Sequence, residues 1–371
     1  MFLANLPFGF GMIFIAAVAG GVFGLQYRVM RRYTVENSSL LSLLFATVVL
    51  PLIIVWFVLP DWWSAITEAG FKTNALVYVL GFGWGLGAIT YAYGFNILGM
   101  ALAATIIKGL TIIIGSGVPL FRRWDDLLEI KATGAITWTF IGIGVLVVGT
   151  ILSGWAGVLR EREQRQDGGS ESAAATSTTV LKPTGRIFWL GMFMCLLSGV
   201  LSACANLGYE FAEPLQDIAE RNSDGEELGW KATLIRWMPM YWGGISALVI
   251  CMGYAMIKNG TWRNYMSVGS LRDFCISAGM GCVHVLAQLP YGVGENALGE
   301  LGTTVGWGAN IGMALIVATG VGFFTGEWKG ASKRALTPLI LGILILLAAV
   351  AALGYANFLE NAARVAFSKG G

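Results

Sequence analysis

Charge is the first thing this sequence is short of. Asp, Glu, Lys and Arg supply 12% of its 371 residues, about half of what a soluble domain needs on its surface. That shortage excludes a water-facing globule of this size. Lipid must cover the remainder, as 56% hydrophobic residues and a mean hydropathy of +0.68 require. An excess of either sign is also missing: 24 basic residues face 22 acidic ones, for a net charge of +2. The basic field that nucleic acid demands is therefore excluded. Histidine occurs once. The five cysteines (Cys195, Cys204, Cys251, Cys275 and Cys282) lie in apolar stretches without a C-x-x-C pair, so no zinc site is expected and they read as small buried hydrophobes. No cofactor is expected either. A lone histidine, with no H-x-x-x-H or D-D-x-x-D pattern, argues against a membrane enzyme. No ring of like charges or filter-like loop marks a channel.

What the chain has in abundance is apolar helix. A bilayer core about 30 Å thick takes roughly 20 helical residues to cross, and ten such stretches occur, near residues 8–30, 39–59, 75–95, 99–120, 134–157, 187–209, 233–257, 273–292, 301–325 and 336–358. The first lacks a basic leader and a cleavage site, so it reads as a true span and not as a signal peptide. The fold class is thus an all-α integral membrane protein. The longest hydrophilic stretch, 158–186, mixes Arg160, Glu161, Arg162, Glu163 and Arg165 with a Gly/Ser/Ala/Thr run. It reads as a flexible linker between two five-helix halves, 1–157 and 187–371. Loops after odd-numbered spans carry 14 basic residues (Arg28, Arg31, Arg32, Arg160, Arg162, Arg165, Lys182, Arg186, Lys258, Arg263, Arg272, Lys329, Lys333, Arg334). The opposite side carries 9 (Lys72, Arg122, Arg123, Lys131, Arg221, Lys231, Arg236, Arg364, Lys369). The positive-inside rule then puts the linker in the cytoplasm and both termini in the periplasm.

The two halves echo one another. Tyr93-Gly94 and Asn96-Ile97-Leu98-Gly99 leave span three, while Tyr291-Gly292 and Asn296-Ala297-Leu298-Gly299 leave span eight. Gly117, Val118 and Phe121 precede Trp124 after span four, as Gly320, Val321 and Phe324 precede Trp328 after span nine. A repeat of five spans, an odd number, sets the second copy upside down, the architecture of many secondary transporters with a substrate site near the midplane. The Tyr-Gly/Asn-x-Leu-Gly signature suits a tight helix-to-helix turn better than a direct substrate contact. The 51 glycines, among them Gly81, Gly83, Gly85 and Gly87, suit close helix packing.

Polar residues inside the spans fall into stripes at helical spacing. Span eight carries Ser277, Gly281, His284, Gln288 and Tyr291; span six carries Ser198, Ser202, Asn206, Glu210 and Glu213; span four carries Ala104, Thr105, Lys108, Thr111 and Gly115. Span nine adds Thr303, Trp307 and Asn310, and span three adds Trp84 and Tyr91. Lys108 sits mid-span, where insertion costs about 2.5–3.5 kcal/mol, which marks a cavity role; snorkelling or a structural ion pair is the alternative. His284 can carry a coupling proton or simply bond a neighbouring helix. Glu210 and Glu213 suit proton coupling, an interfacial anchor or a lid salt bridge. Trp56, Trp62 and Trp63 suit an interfacial belt.

Taken together, Gly83-Trp84-Gly85-Leu86-Gly87 with Tyr91 and Leu98-Gly99-Met100, the Ser198/Ser202/Asn206 helix, the passage from Gln288 to Tyr291-Gly292, and Glu327-Trp328-Lys329-Gly330 resemble the L-rhamnose-proton symporters of the drug/metabolite transporter superfamily. The resemblance implies uptake of L-rhamnose or a related 6-deoxy sugar with a proton across a bacterial inner membrane. Trp84, Tyr91 and Trp307 would stack the sugar; Asn206, Gln288, Asn310 and Lys108 would bond its hydroxyls; His284 or Glu210 would carry the proton. Sodium held by unwound glycine-rich backbone is the alternative coupling ion, and a sugar acid paired with Lys108 the alternative solute.

Overall fold

The computed structural model describes residues 2–22, 29–59, 61–166, 185–223 and 228–370. Among these residues every regular element is helical. Ten segments are long and apolar enough to cross a bilayer: helices Phe2–Val22, Val35–Val58, Gly70–Leu98, Met100–Arg122, Thr133–Gln166, Arg186–Phe211, Trp237–Asn259, Ser270–Leu298, Gly302–Phe324 and Lys333–Gly370. They are called spans one to ten below. The expected number of spans holds, and several ends move. Span one starts earlier than its apolar run suggested, at Phe2, and holds Pro7 inside the helix. Span five runs on to Gln166, so the first part of the expected linker is helical. Arg and Glu are strong helix formers, and this turn is pinned by Arg160 to Glu327 (3.5 Å) and by Ser332 donating to Glu163. The rest of that linker, 167–184, lies outside the described residues.

Span two widens into a π-turn over Phe45–Val49 just before Pro51, whose ring disturbs the carbonyl four residues back. Between the spans lie short helices Trp62–Glu68, Trp124–Glu129 and Glu213–Arg221, and 3₁₀ turns Gly229–Arg236 and Thr261–Met266. Trp56 and Trp63 face outward as a belt requires, whereas Trp62 turns inward and packs in the core with Leu215 and Ile218.

Helix pairing follows a simple rule. When span n is matched to span n+5, each extensive contact has a counterpart: three with six mirrors eight with one, four with six mirrors nine with one, three with seven mirrors eight with two, and four with five mirrors nine with ten. Pairs five–ten, four–nine and two–seven map onto themselves. Lengths match too. Spans three and eight are both 29 residues, and spans four and nine both 23. The chain reverses between three and four at Gly99 (φ +87°) and between eight and nine at Gly299 (φ +81°), conformations that favour glycine. The final residue of each Asn-x-Leu-Gly echo is therefore a turn residue. Each turn is held from the neighbouring long helix. Glu161 on span five accepts the Ala101 amide (3.1 Å), and Asn357 on span ten donates to the Leu298 carbonyl (2.9 Å). The aromatic echo also holds, with one change of partner: Phe121 stacks on Trp124 and Phe323 on Trp328, both at 5.8 Å and 26°, while Phe324 is exposed.

Glycine brings spans three and seven into backbone contact. A Cβ at Gly81 would stand 2.0 Å from the Met240 carbonyl oxygen, and one at Gly243 would stand 1.9 Å from that of Tyr78. Gly281 meets the Ser42 carbonyl of span two in the mirrored position. Replacing Gly81 or Gly243 by Val is expected to cost about 3 kcal/mol or more through overpacking against backbone that cannot yield. Gly144→Ala, where a Cβ meets nothing within 4 Å, should be neutral. Thermal unfolding of the detergent-purified chain checks both.

Candidate functional site

Three polar layers follow one another along the bundle axis. The first lies at the end reached by loops after even-numbered spans. There Glu210 is fully buried, receives Arg122 at 2.9 Å and the Thr303 hydroxyl, and lies 3.5 Å from Arg123. Arg123 also bonds Glu213 at 2.6 Å and pairs with Glu300. Arg236, only 4% exposed, donates from Nε to the Tyr209 carbonyl at 2.9 Å and faces Glu295 at 3.4 Å. Its guanidinium lies 3.9 Å above the Tyr209 ring. Arg122 and Arg123 belong to the first half of the chain and all the carboxylates to the second, so this network ties the two halves together. The opposite end is tied as well: the buried Asp273 of span eight accepts the backbone amides of Arg31, Arg32 and Tyr33 at 2.6–3.0 Å, and Arg160 pairs with Glu327 at 3.5 Å and lies over the Trp328 ring at 4.6 Å.

An aromatic layer underlies the ionic one. Tyr209 and Trp237 lie 4.5 Å apart, Trp237 stacks on Tyr241 at 5.5 Å, and Tyr291 meets Trp307 edge-on at 5.7 Å. Tyr291 donates to Asn206 Oδ1 at 2.6 Å, and Asn206 Nδ2 donates to the carbonyls of Gly115 (2.8 Å) and Thr303 (3.2 Å). Every polar atom of Asn206 is thus engaged by protein, and its side chain is fully buried. Trp307 likewise donates Nε1 to the Thr111 carbonyl at 3.3 Å. Its ring lies where a Cβ at Gly115 would fall 2.3 Å from Nε1, so glycine there is what admits the indole.

The third layer is at mid-span. Trp84 and His284 face each other, ring centroids 6.1 Å apart, with Trp84 packed against Gly244 of span seven. Each is the fifteenth residue of its 29-residue helix, so the two hold the same register in helices of equal length. Gln288 follows His284 by one helical turn on the same face. Lys108 and Asn310 are a second such pair, each the ninth residue of a 23-residue helix. Lys108 shares the face of Gly115 and Thr111, the residues that touch Trp307, and Asn310 lies one turn beyond Trp307. Trp84, Lys108, His284, Gln288, Trp307 and Asn310 are all half-buried.

Of the residues singled out from sequence, Trp84 and His284 meet each other, Trp307 meets span four at Thr111, and Lys108, Gln288 and Asn310 share helix faces with Thr111, His284 and Trp307 respectively. Asn206 and Glu210 belong to the helix interfaces of the upper layers. Tyr91 lies two turns along from Trp84, its ring 4.1 Å from that of Phe95 and against Ala103, Ile107 and Cys195. Ser198 donates to the Gly87 carbonyl (3.0 Å), and Ser277 bonds Ser38 (3.0 Å), so these stripe members fasten helices. Sequence reasoning counted Arg236 as a loop residue and gave Arg122 and Arg123 no role. A signal was present: residues of both signs gather at the ends of spans four, six and eight, all on one side.

Ten apolar spans around a polar mid-level layer make this a multi-pass helical membrane protein. The chain belongs to the L-rhamnose-proton symport protein (RhaT) family, which it matches over residues 5–357. It is similar to the L-rhamnose-proton symporters of Yersinia pestis bv. Antiqua (strain Antiqua) and Yersinia pseudotuberculosis serotype O:3 (strain YPIII). Both are 23% identical, over 355 and 353 residues respectively, covering 92% of this chain and 95% of the relative.

Removing one member of a buried ion pair strands its partner at a cost of about 3–5 kcal/mol. Arg236→Met should therefore lower the unfolding temperature sharply, and the double variant Arg236→Met/Glu295→Gln should recover most of the loss. Scanning fluorimetry of the two variants beside the parent checks this.

Proposed function

We propose that this chain is a secondary carrier that brings L-rhamnose, or a solute chemically close to it, across the bacterial inner membrane together with a proton. Family membership supports the reaction class. The observation that carries the reading is the mid-level layer: an indole face opposite an imidazole, with an amide pair and a lysine at the same level, midway along the bundle. Sugars offer apolar C–H faces that pack on aromatic rings and hydroxyls that seek amide partners, and Trp84, Gln288 and Asn310 supply both.

The chain is read as two five-span repeats of opposite orientation. Matched span lengths, mirrored helix pairing and the two glycine reversals support that reading, and an odd number of spans inverts the second copy. The halves rock about the central layer. The end bearing Arg122, Arg123, Arg236, Glu210 and Glu295 is sealed by its ion pairs in this reading, and opening it means wetting that network. The excess of Lys and Arg on the linker side supports a cytoplasmic linker and periplasmic termini. Tyr91, Asn206 and Glu210 enter as residues whose surroundings change between states, and His284 as the titratable group beside the solute.

One proton moving inward at 100 mV supplies about 2.3 kcal/mol, roughly fifty-fold accumulation. Proteoliposomes of the purified chain, lightly buffered, should alkalinise the outer medium when offered L-rhamnose, other 6-deoxyhexoses or their acids, and a protonophore should abolish accumulation of whichever solute is carried. Absence of coupled uptake for every solute in that panel would contradict the carrier reading.

A further inference from the structure

Resting on the carrier reading above, we infer that the preferred solute bears a carboxylate, a sugar acid of hexose size, with Lys108 Nζ as its counter-charge. Lys108 makes no ion pair and no hydrogen bond among the described residues. It lies at mid-helix, out of snorkelling reach of either end. Among the described residues no acidic side chain lies at the mid-level of a span. Those bordering span four are engaged at its two ends, Glu161 by the Ala101 amide and Glu210 by Arg122 and Arg123, and Glu295 faces Arg236. An ammonium away from bulk water costs several kcal/mol unless a negative partner meets it, and a neutral hydroxyl offsets only part of that. Among the described residues no such partner meets Lys108, so the solute supplies it.

The second observation comes from Asn310, the matched position on the facing span. Its Oδ1 is buried and accepts no hydrogen bond, which asks for a donor such as a hydroxyl. A solute with a carboxylate at one end and hydroxyls along its length answers both: the carboxylate at Lys108, a hydroxyl at Asn310, the carbon chain on Trp84. Matched halves with unmatched residues, lysine against asparagine, give the site its polarity. Coupling then has a consequence for charge. A monovalent acid carried with one proton moves no net charge, so its uptake follows the pH gradient and ignores the membrane potential, whereas a neutral sugar with one proton follows both.

The test compares L-rhamnose with L-rhamnonate, the acid of the same carbon skeleton, for binding to the purified full-length chain and for uptake into proteoliposomes with pH gradient and valinomycin-set potential varied separately. Rhamnonate should bind about ten-fold or more tightly than rhamnose, the worth of one charge-assisted hydrogen bond, and its uptake should not respond to potential. Lys108→Met should weaken rhamnonate about ten-fold more than it weakens rhamnose, and Lys108→Arg should keep the parent's order of preference, which separates charge recognition from misfolding. Tighter binding of rhamnose, or equal loss of both solutes in Lys108→Met, would overturn the inference. Potential-driven rhamnose uptake with no rhamnonate uptake would overturn it while leaving the carrier reading intact. Uptake of neither solute, nor of any other in the earlier panel, would overturn both.

Discussion

A charge withdrawn from water must find an opposite charge, and the layout of this molecule follows from where that condition is met and where it is not. At one end it is met in full. Glu210, Glu295 and Arg236 are buried together with Arg122 and Arg123 within bonding distance, and the two halves of the chain each contribute charge. Such a network is strong while dry and weak once wetted, because water replaces each lost contact. That contrast suits a closure that must hold a seal and then release it. At mid-level the condition is left unmet at Lys108, and there the missing charge is what a solute brings.

Rigid pairs transmit the rest. Spans three and seven touch backbone to backbone at Gly81 and Gly243, so they move as one body, and the mirrored contact at Gly281 joins eight to two. Between these bodies the chain turns at Gly99 and Gly299, each held by a polar residue of span five or ten. The long pair five and ten is in mutual contact along its length, and in the proposed cycle it is the scaffold against which the other spans would shift. Trp84 and His284 lie where the two bodies face each other, so a shift between the bodies changes the distance across the site directly.

Much of the fold was legible because lipid imposes it. An apolar run of about 20 residues has one explanation, so the number of spans and the helical class followed from composition, and the turn at the end of each Asn-x-Leu-Gly echo followed from what glycine permits. Polar stripes were harder. Helical spacing shows that Ser277, His284, Gln288 and Tyr291 share a face, yet a face crosses several neighbours along its length. Ser277 meets Ser38, Tyr291 meets Asn206, and His284 meets Trp84. The same periodicity placed Asn206 beside the solute, while the fold gives all its polar atoms to Gly115, Thr303 and Tyr291. The shared register of Trp84 with His284, and of Lys108 with Asn310, was hidden because the residue types differ; it emerges when helix ends coincide. Arg236 looked like a loop cation because a 3₁₀ turn carries it back into the bundle, a feature that hydropathy does not register.

The central claim is that the two ends of the bundle open in alternation about the mid-level layer. Its most direct test is distance measurement by pulsed electron resonance on spin labels introduced as Glu129→Cys with Glu220→Cys at the sealed end and as Arg32→Cys with Lys329→Cys at the other, in a background without native cysteine. On adding solute at acidic pH, the first distance should lengthen as the second shortens. Lengthening at both ends together, as a pore requires, or no change at either end in protein that transports, would contradict the account.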